Sequence, residues 1–278
     1  MESLSSTEAL AEEAAVSEAP PSADARVDHC RLGPVGLALY NALYWPYLLL
    51  SCTALFFPAL LLWACTFWDP ERRWLAKYTS IWGAHYLAWA PFASVRVEGL
   101  EHIERNRACV YVVNHQSMVD ILAVFATQIP YKWVSKVENF YAPFLGWNMW
   151  LNGYVPLKRG YLPSIVRMVR TCLRKLDAGQ SLCVFPEGTR SPDGNLIAFY
   201  RGAFWVAARQ RVPIVPIVVE GTGAILRKKS LQIRPQQTLV RVLPPIDPAE
   251  VGHDDRKLRE LTRSRMAAEL ATIRGVMR

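Results

Sequence analysis

No charged residue interrupts the 37 positions from Leu32 to Trp68. A soluble core helix rarely stays uncharged for so long, and eighteen or more apolar residues already argue for a membrane segment. The six cysteines form no CxxC pair and follow no metal-ligand rhythm, which excludes a zinc ribbon or a dithiol redox centre. They are expected as free thiols in a reducing compartment. No serine stands in a GxSxG setting, so a nucleophile-elbow hydrolase is excluded. The N-terminus has neither the basic start nor the small-residue cleavage site of a signal peptide and is expected to be retained. No basic–aromatic module of the nucleic-acid-binding kind is present, and no nucleic-acid partner is expected.

Charge is unevenly spread. Residues 1–31 hold seven acids and two bases, a net of −5, whereas the whole chain of 278 residues is +8, so the remainder carries +13. An Ala/Ser/Glu/Pro-rich acidic tail buries too little apolar surface to offset its ordering entropy, and residues 1–31 are expected to be disordered. The basic remainder points to an anionic partner: phosphate, nucleic acid or an acidic membrane face, of which nucleic acid finds no recognition module here.

As one helix the uncharged run would be about 55 Å long against a hydrocarbon core of about 30 Å. Pro46 and Pro58 cut it into pieces of about 11 residues, so a hairpin of two short helices in one leaflet fits as well as one kinked span. Aromatic residues flank it (Tyr40, Tyr44 and Trp45; then Trp63, Phe67 and Trp68), as in an interfacial belt. The following ERRWLAKYTSIWGAHYLAWAPF mixes bases with Trp and Tyr, which suits a helix lying on an anionic surface. Residues 32–93 are therefore expected to form a membrane-associated helical segment. It would sit at the cytoplasmic face of the inner or plasma membrane, or at an equivalent internal membrane.

From Ser94 the pattern alternates. Strands are expected at 94–97, 109–113, 132–134, 154–157, 182–185, 214–219 and 239–242, and helices at 117–128, 138–151, 162–177, 201–210 and 255–276. This alternation predicts an α/β domain over 94–278: a mixed, largely parallel sheet flanked by helices. Sites in such sheets lie where strands end and helices begin.

Four stretches at such ends carry the chemistry. In NHQSMVD, Ser117-x-x-Asp120 reads as a capping box, which would leave His115 a loop histidine. If instead His115 ends a strand and Asp120 lies in the first helical turn, the carboxylate reaches back to the ring. It then fixes the tautomer and leaves the other nitrogen to take a proton. In FPEGTRS, Gly188 permits close backbone approach, Arg190 offers a phosphate fork and Glu187 an acceptor for a hydroxyl, while Thr189 adds a further polar group. YVPLKRG places Lys158 and Arg159 at a strand end. FYRGAFWVAARQRVPIVPIVVEGTG places Arg201 at a helix start and follows it with a buried strand.

Taken together and in order, these stretches resemble the glycerolipid acyltransferases typified by 1-acyl-sn-glycerol-3-phosphate acyltransferase. N-H-x-x-x-x-D is matched by Asn114, His115 and Asp120. The second block's arginine is matched by Arg159, F-P-E-G-T-R-S by Phe185–Ser191, and V-P-I-V-P-[VI] by Val212–Ile217. Lys136 matches a lysine before the second block, and Arg201 the basic position of a later F-[KR]-x-G-A-F context. Two positions depart: Lys158 stands where an acid is usual, and Asn139 replaces the leucine of K-x-x-L.

The resemblance implies acyl transfer from a thioester, either acyl-CoA or an acyl-carrier protein, to the sn-2 hydroxyl of a lysophospholipid. In this reading His115 is general base and Asp120 orients it. Lys136, Arg159 and Arg190 hold the acceptor phosphate with Arg201 nearby, and Glu187, Gly188 and Thr189 shape that pocket. Backbone N–H groups near Val155 or Gly188 would meet the oxyanion. No metal or organic cofactor is implied, and membrane lipids are the remaining partners. Another lysolipid acceptor, or a non-catalytic module binding anionic membranes, are the alternatives.

Overall fold

The computed structural model describes residues 33–88, 94–234 and 236–276. The acidic tail expected over 1–31 lies outside them. An uncharged run with no polar stripe has no reason to break its backbone hydrogen bonds in an apolar setting. Accordingly, Pro34–Cys65 is one continuous helix, α1, and neither Pro46 nor Pro58 ends it. Of the two arrangements left open, a hairpin of two short helices and a single helix, the structure has the second. Each proline forgoes one backbone bond, and the helix nevertheless runs on through both positions. At 32 residues α1 is about 48 Å long, yet it buries only Tyr44, Phe56 and Ala59.

The second helix, α2 (Arg73–Ala88), packs its apolar face on protein. Leu75, Trp82 and Tyr86 join Phe56 and Ala59 of α1 in one buried cluster, so the helix expected on a lipid surface leaves only part of its face, with Trp74 and Ile81, exposed. Side chains fasten this pair to the rest of the molecule. Asn41 exchanges bonds with both the carbonyl (2.9 Å) and the N–H (2.7 Å) of Ile233. Buried Lys132 donates to the carbonyls of Glu71 (2.7 Å) and Asn152 (2.9 Å).

Seven strands follow: β1 (Val95–Glu98), β2 (Val110–Val113), β3 (Lys132–Lys136), β4 (Val155–Leu157), β5 (Leu182–Val184), β6 (Ile214–Glu220) and β7 (Thr238–Val242). They form one sheet in the order β1-β7-β6-β2-β5-β3-β4. Every neighbouring pair is parallel except β6 with β7. The central strands are β-branched runs buried on both faces, as parallel strands under helices must be.

The helices between the strands are α3 (Val119–Phe125), α4 (Leu145–Leu151), α5 (Leu162–Asp177), α6 (Gly202–Gln210) and the single turn α7 (Thr222–Ile225), and α8 (Asp255–Val276) follows the last strand. The helix expected over 138–151 is split into a 3-10 turn at Val137–Tyr141 and α4. Pro143 disfavours a helical Ala142, which is extended (ψ 124°), and Phe144 then adopts φ 60°.

The pleat of β2 divides the core. Tyr111 and Val113 face a cluster shared with α1 and α3, whereas Val110 and Val112 face one built with α5, α6 and α8.

Candidate active site

β2 ends at Val113, and Asn114 fixes the point at which the chain leaves the sheet. Asn114 is buried and reads the backbone of β6 like a strand edge: its Nδ2 donates to Val219 O (2.9 Å) and its Oδ1 accepts from Val219 N–H (2.7 Å). His115 thus departs from a set position, before α3 begins. Asp120 sits in the first turn of α3, fully buried, and its Oδ2 lies 2.7 Å from His115 Nδ1.

The same oxygen accepts the N–H groups of Gln116 (2.7 Å) and Ser117 (2.8 Å). The bond to Ser117 N–H is the carboxylate half of the expected capping box; the reciprocal serine half is not made, since Ser117 Oγ accepts from Val119 N–H (3.3 Å) and Met118 is the N-cap. The other oxygen, Oδ1, accepts from the Thr222 hydroxyl. A carboxylate enclosed by four donors stays where it is put. With Nδ1 held by Asp120, the Nε2 lone pair of His115 is left for a substrate.

The ring is also held flat. His115 stacks on Phe185 (centroids 4.0 Å, 16°), and Phe185 stacks on Trp133 (5.0 Å, 19°).

Glu187 is placed differently from the expectation that it accepts from a substrate hydroxyl. Its carboxylate faces the chain's own backbone, accepting from His115 N–H (2.9 Å) and Ile197 N–H (3.4 Å). Burial, reinforced by the nearby Asp120 charge, pushes its pKa up to about 7 against those two bonds. Gly188 takes φ 66°, and a Cβ there would lie 2.5 Å from the Tyr200 ring. Its N–H donates to Phe185 O (3.1 Å), so this amide belongs to the turn and not to an oxyanion site. Thr189 is exposed, Arg190 half-buried, and Ser191 N–H returns to His115 O at 2.7 Å.

Between the sheet and helices α5 and α6 lies a cavity of about 330 Å³. Buried Val110, Cys172, Leu182 and Val206 line its inner part, while Lys136, Arg159, Gly188 and Arg201 contribute the charged and backbone lining. Phe185 belongs both to this wall and to the stack under His115, so base and cavity adjoin. Arg201 is engaged by Asp255, Nη2 to Oδ1 2.8 Å, and Lys136 pairs with Glu138 at 3.3 Å. The cavity therefore brings Lys136, Arg159, Gly188 and Arg201 together. Thr189 and Arg190 lie on the adjoining loop.

Sequence reasoning missed Thr222, Gln116, Glu220 and Arg274. Gln116 Nε2 donates to Glu220 (3.0 Å). Arg274 of α8 holds Glu220 (3.0 Å), Gly194 O (2.8 Å) and Asn195 Oδ1 (2.8 Å), fastening the loop that carries Arg190. The Gly221-Thr222-Gly223 turn at the end of a strand beside β2 was the available signal for Thr222.

Residues 94–220 match the family model described as Acyltransferase. The chain is 39% identical over 184 residues to the 1-acyl-sn-glycerol-3-phosphate acyltransferase of Chlamydomonas reinhardtii, covering 64% of this chain and 54% of that one. To the chloroplastic 1-acyl-sn-glycerol-3-phosphate acyltransferase of Arabidopsis thaliana it is 41% identical over 160 residues, 57% of this chain and 44% of the relative. The chain thus spans about half the length of the curated relatives it matches. The crystal structure of PlsC from Thermotoga maritima, a 1-acyl-sn-glycerophosphate acyltransferase, superposes with a TM-score of 0.74 at 26% identity. It covers 86% of this chain and 98% of that one. The fold of that structure is therefore shared, and the exposed, uncharged α1 is long and apolar enough to cross a membrane.

Proposed function

We propose that the protein transfers a fatty acyl group from a thioester to the sn-2 hydroxyl of 1-acyl-glycerol-3-phosphate, yielding phosphatidic acid. The observation that carries this reading is a base–carboxylate pair, His115 and Asp120, held beside a cavity that is apolar inside and basic at its lining. The relatives named for this reaction support it.

His115 Nε2 takes the hydroxyl proton as the oxygen attacks the thioester carbonyl carbon. The tetrahedral adduct then collapses, the C–S bond breaks, and the thiolate takes that proton back from the imidazolium. Asp120 stabilises the imidazolium between the two transfers. General base catalysis of this kind contributes about 10²–10⁴-fold. The cavity receives the acyl chain of the donor, and Lys136, Arg159 and Arg190 hold the acceptor phosphate. Glu187 positions His115 through its backbone N–H.

The test follows thiol release and lipid product together, with lysophosphatidic acid and either acyl-CoA or an acyl-carrier-protein thioester, His115→Ala alongside. Phosphatidic acid appearing in step with thiol, and absent in the variant, is the expected result. Thiol without lipid product would mean hydrolysis. Turnover only with another lysolipid would move the acceptor assignment, for which Lys158 in the place of an acid is the feature to examine.

A further inference from the structure

Registers in the sheet place two exposed segments side by side. Lys136 at the end of β3 pairs with Leu157 at the end of β4, so the chain leaves both strands together at residues 137 and 158. The segments beyond these strand ends are unusually apolar for a surface. Tyr141 is 71% exposed and Leu162 70%, with Leu145, Trp147, Trp150 and Tyr161 also exposed. Basic side chains are interleaved with them: Lys136, Arg159 and Lys158, whose ammonium lies 5.5 Å from the Tyr161 ring centroid.

This patch is continuous with α1. Phe56 of α1 meets Trp147 at 5.6 Å and Phe144 at 5.7 Å, so the exposed aromatic face of α4 extends the apolar surface of the membrane helix. Its other border is the cavity, whose lining includes Lys136, Arg159 and Gly160. Aromatic rings and Leu beside Lys and Arg form the composition that settles at headgroup depth, apolar bodies down and charges snorkelling outward.

We propose that residues 141–162 of the catalytic domain form a second bilayer-inserted surface, separate in sequence from α1, that seats the cavity mouth in the headgroup layer of an anionic membrane. The headgroup of the lysophospholipid acceptor would then reach the basic residues at the cavity mouth laterally, its tail staying in the bilayer. This last step rests on the proposed acyl-transfer reaction; the insertion does not.

The experiment places an environment-sensitive fluorescent amino acid at Tyr141, Leu162, Phe57 of α1 or Glu104 in the full-length chain. Glu104 is exposed and lies in the β1–β2 connection, at the opposite end of the sheet. The chain is reconstituted in phosphatidylcholine–phosphatidylglycerol vesicles carrying a lipid quencher near the glycerol end of the acyl chain. Blue-shifted emission and quenching at 141 and 162 comparable to 57, with none at 104, is the expected result. Emission at 141 and 162 that matches 104 overturns the proposal, and no turnover is needed to see it. A Tyr141→Asp, Leu162→Asp chain adds the functional arm. Its rate on vesicle-embedded acceptor should drop several-fold while its rate on acceptor dispersed in detergent holds. An equal loss in both media would also overturn the proposal.

Discussion

Replacing Asp120 by asparagine separates charge from geometry at the catalytic pair. Three donors converge on Oδ2, namely His115 Nδ1, Gln116 N–H and Ser117 N–H. An asparagine must therefore turn its carbonyl oxygen toward them, because the amide nitrogen would face three donors with none to accept. Nδ1 keeps an acceptor, the ring keeps its tautomer, and the only loss at the ring is the negative charge. At about 4 Å and an effective dielectric near 20, a unit-charge pair is worth about 4 kcal/mol. The imidazolium charge is partial in the transition state, so about 2–4 kcal/mol is at stake, or about thirty- to a thousand-fold in rate.

Stability should fall little, since the only bond to rearrange is that of the Thr222 hydroxyl, worth about 1 kcal/mol. Asp120→Ala behaves differently. It strands two buried backbone donors and the ring donor, at about 1–3 kcal/mol each, and should unfold the chain at a clearly lower temperature. Thermal unfolding in detergent and coupled thiol and lipid assays on both variants give the two axes. An Asp120→Asn chain of native stability that retains turnover within about threefold of the parent would refute the imidazolium argument.

Three further outcomes are expected. Glu187 binds its proton more tightly folded than unfolded, because its folded pKa of about 7 lies above the ordinary 4.5. Its contribution to stability is therefore fully present below 4.5 and is lost as pH rises toward 7; Glu187→Gln should flatten that slope in thermal unfolding across the interval. Cys172→Phe intrudes into the inner part of the cavity. If it excludes two methylenes at about 0.8 kcal/mol each, kcat/KM for long-chain thioesters falls about fifteen-fold while short-chain donors are unaffected. Arg274→Ala frees the loop at 194–195 and with it Arg190; acceptor KM should rise several-fold with kcat near the parent value, and Arg274→Lys should recover part of the loss.

The strands were legible because β-branched runs such as VYVV and IVPIVVE admit few other conformations. Every expected strand is present to within two residues at either end. The amphipathic 162–177 helix was found at its expected limits for the same reason, an apolar face read directly from spacing. Long-range pairing was not legible. Nothing local in the sequence says that Thr222 reaches Asp120, or that Arg274 reaches Glu220 across 54 positions, because these contacts depend on strand order. The prolines of α1 left a hairpin and a single helix both open, because their local cost is readable but whether the helix runs on through them is not. Likewise Glu187 reads as a group offered to a ligand until the fold turns it toward the His115 amide.

The sheet is a partition. α1 lies against one face of β2 and the cavity against the other, so a chain entering the cavity has left the side where hydrocarbon is already available. A lipid tail drawn out of the bilayer would exchange one oily surrounding for another and gain almost nothing from the transfer. A thioester tail arriving from water would gain about 0.8 kcal/mol for every methylene it sheathes. In the proposed reaction the wall between α1 and the cavity would act as a selector by origin: without recognising any headgroup, it would favour the tail that comes from solution and leave the acceptor's tail in the membrane.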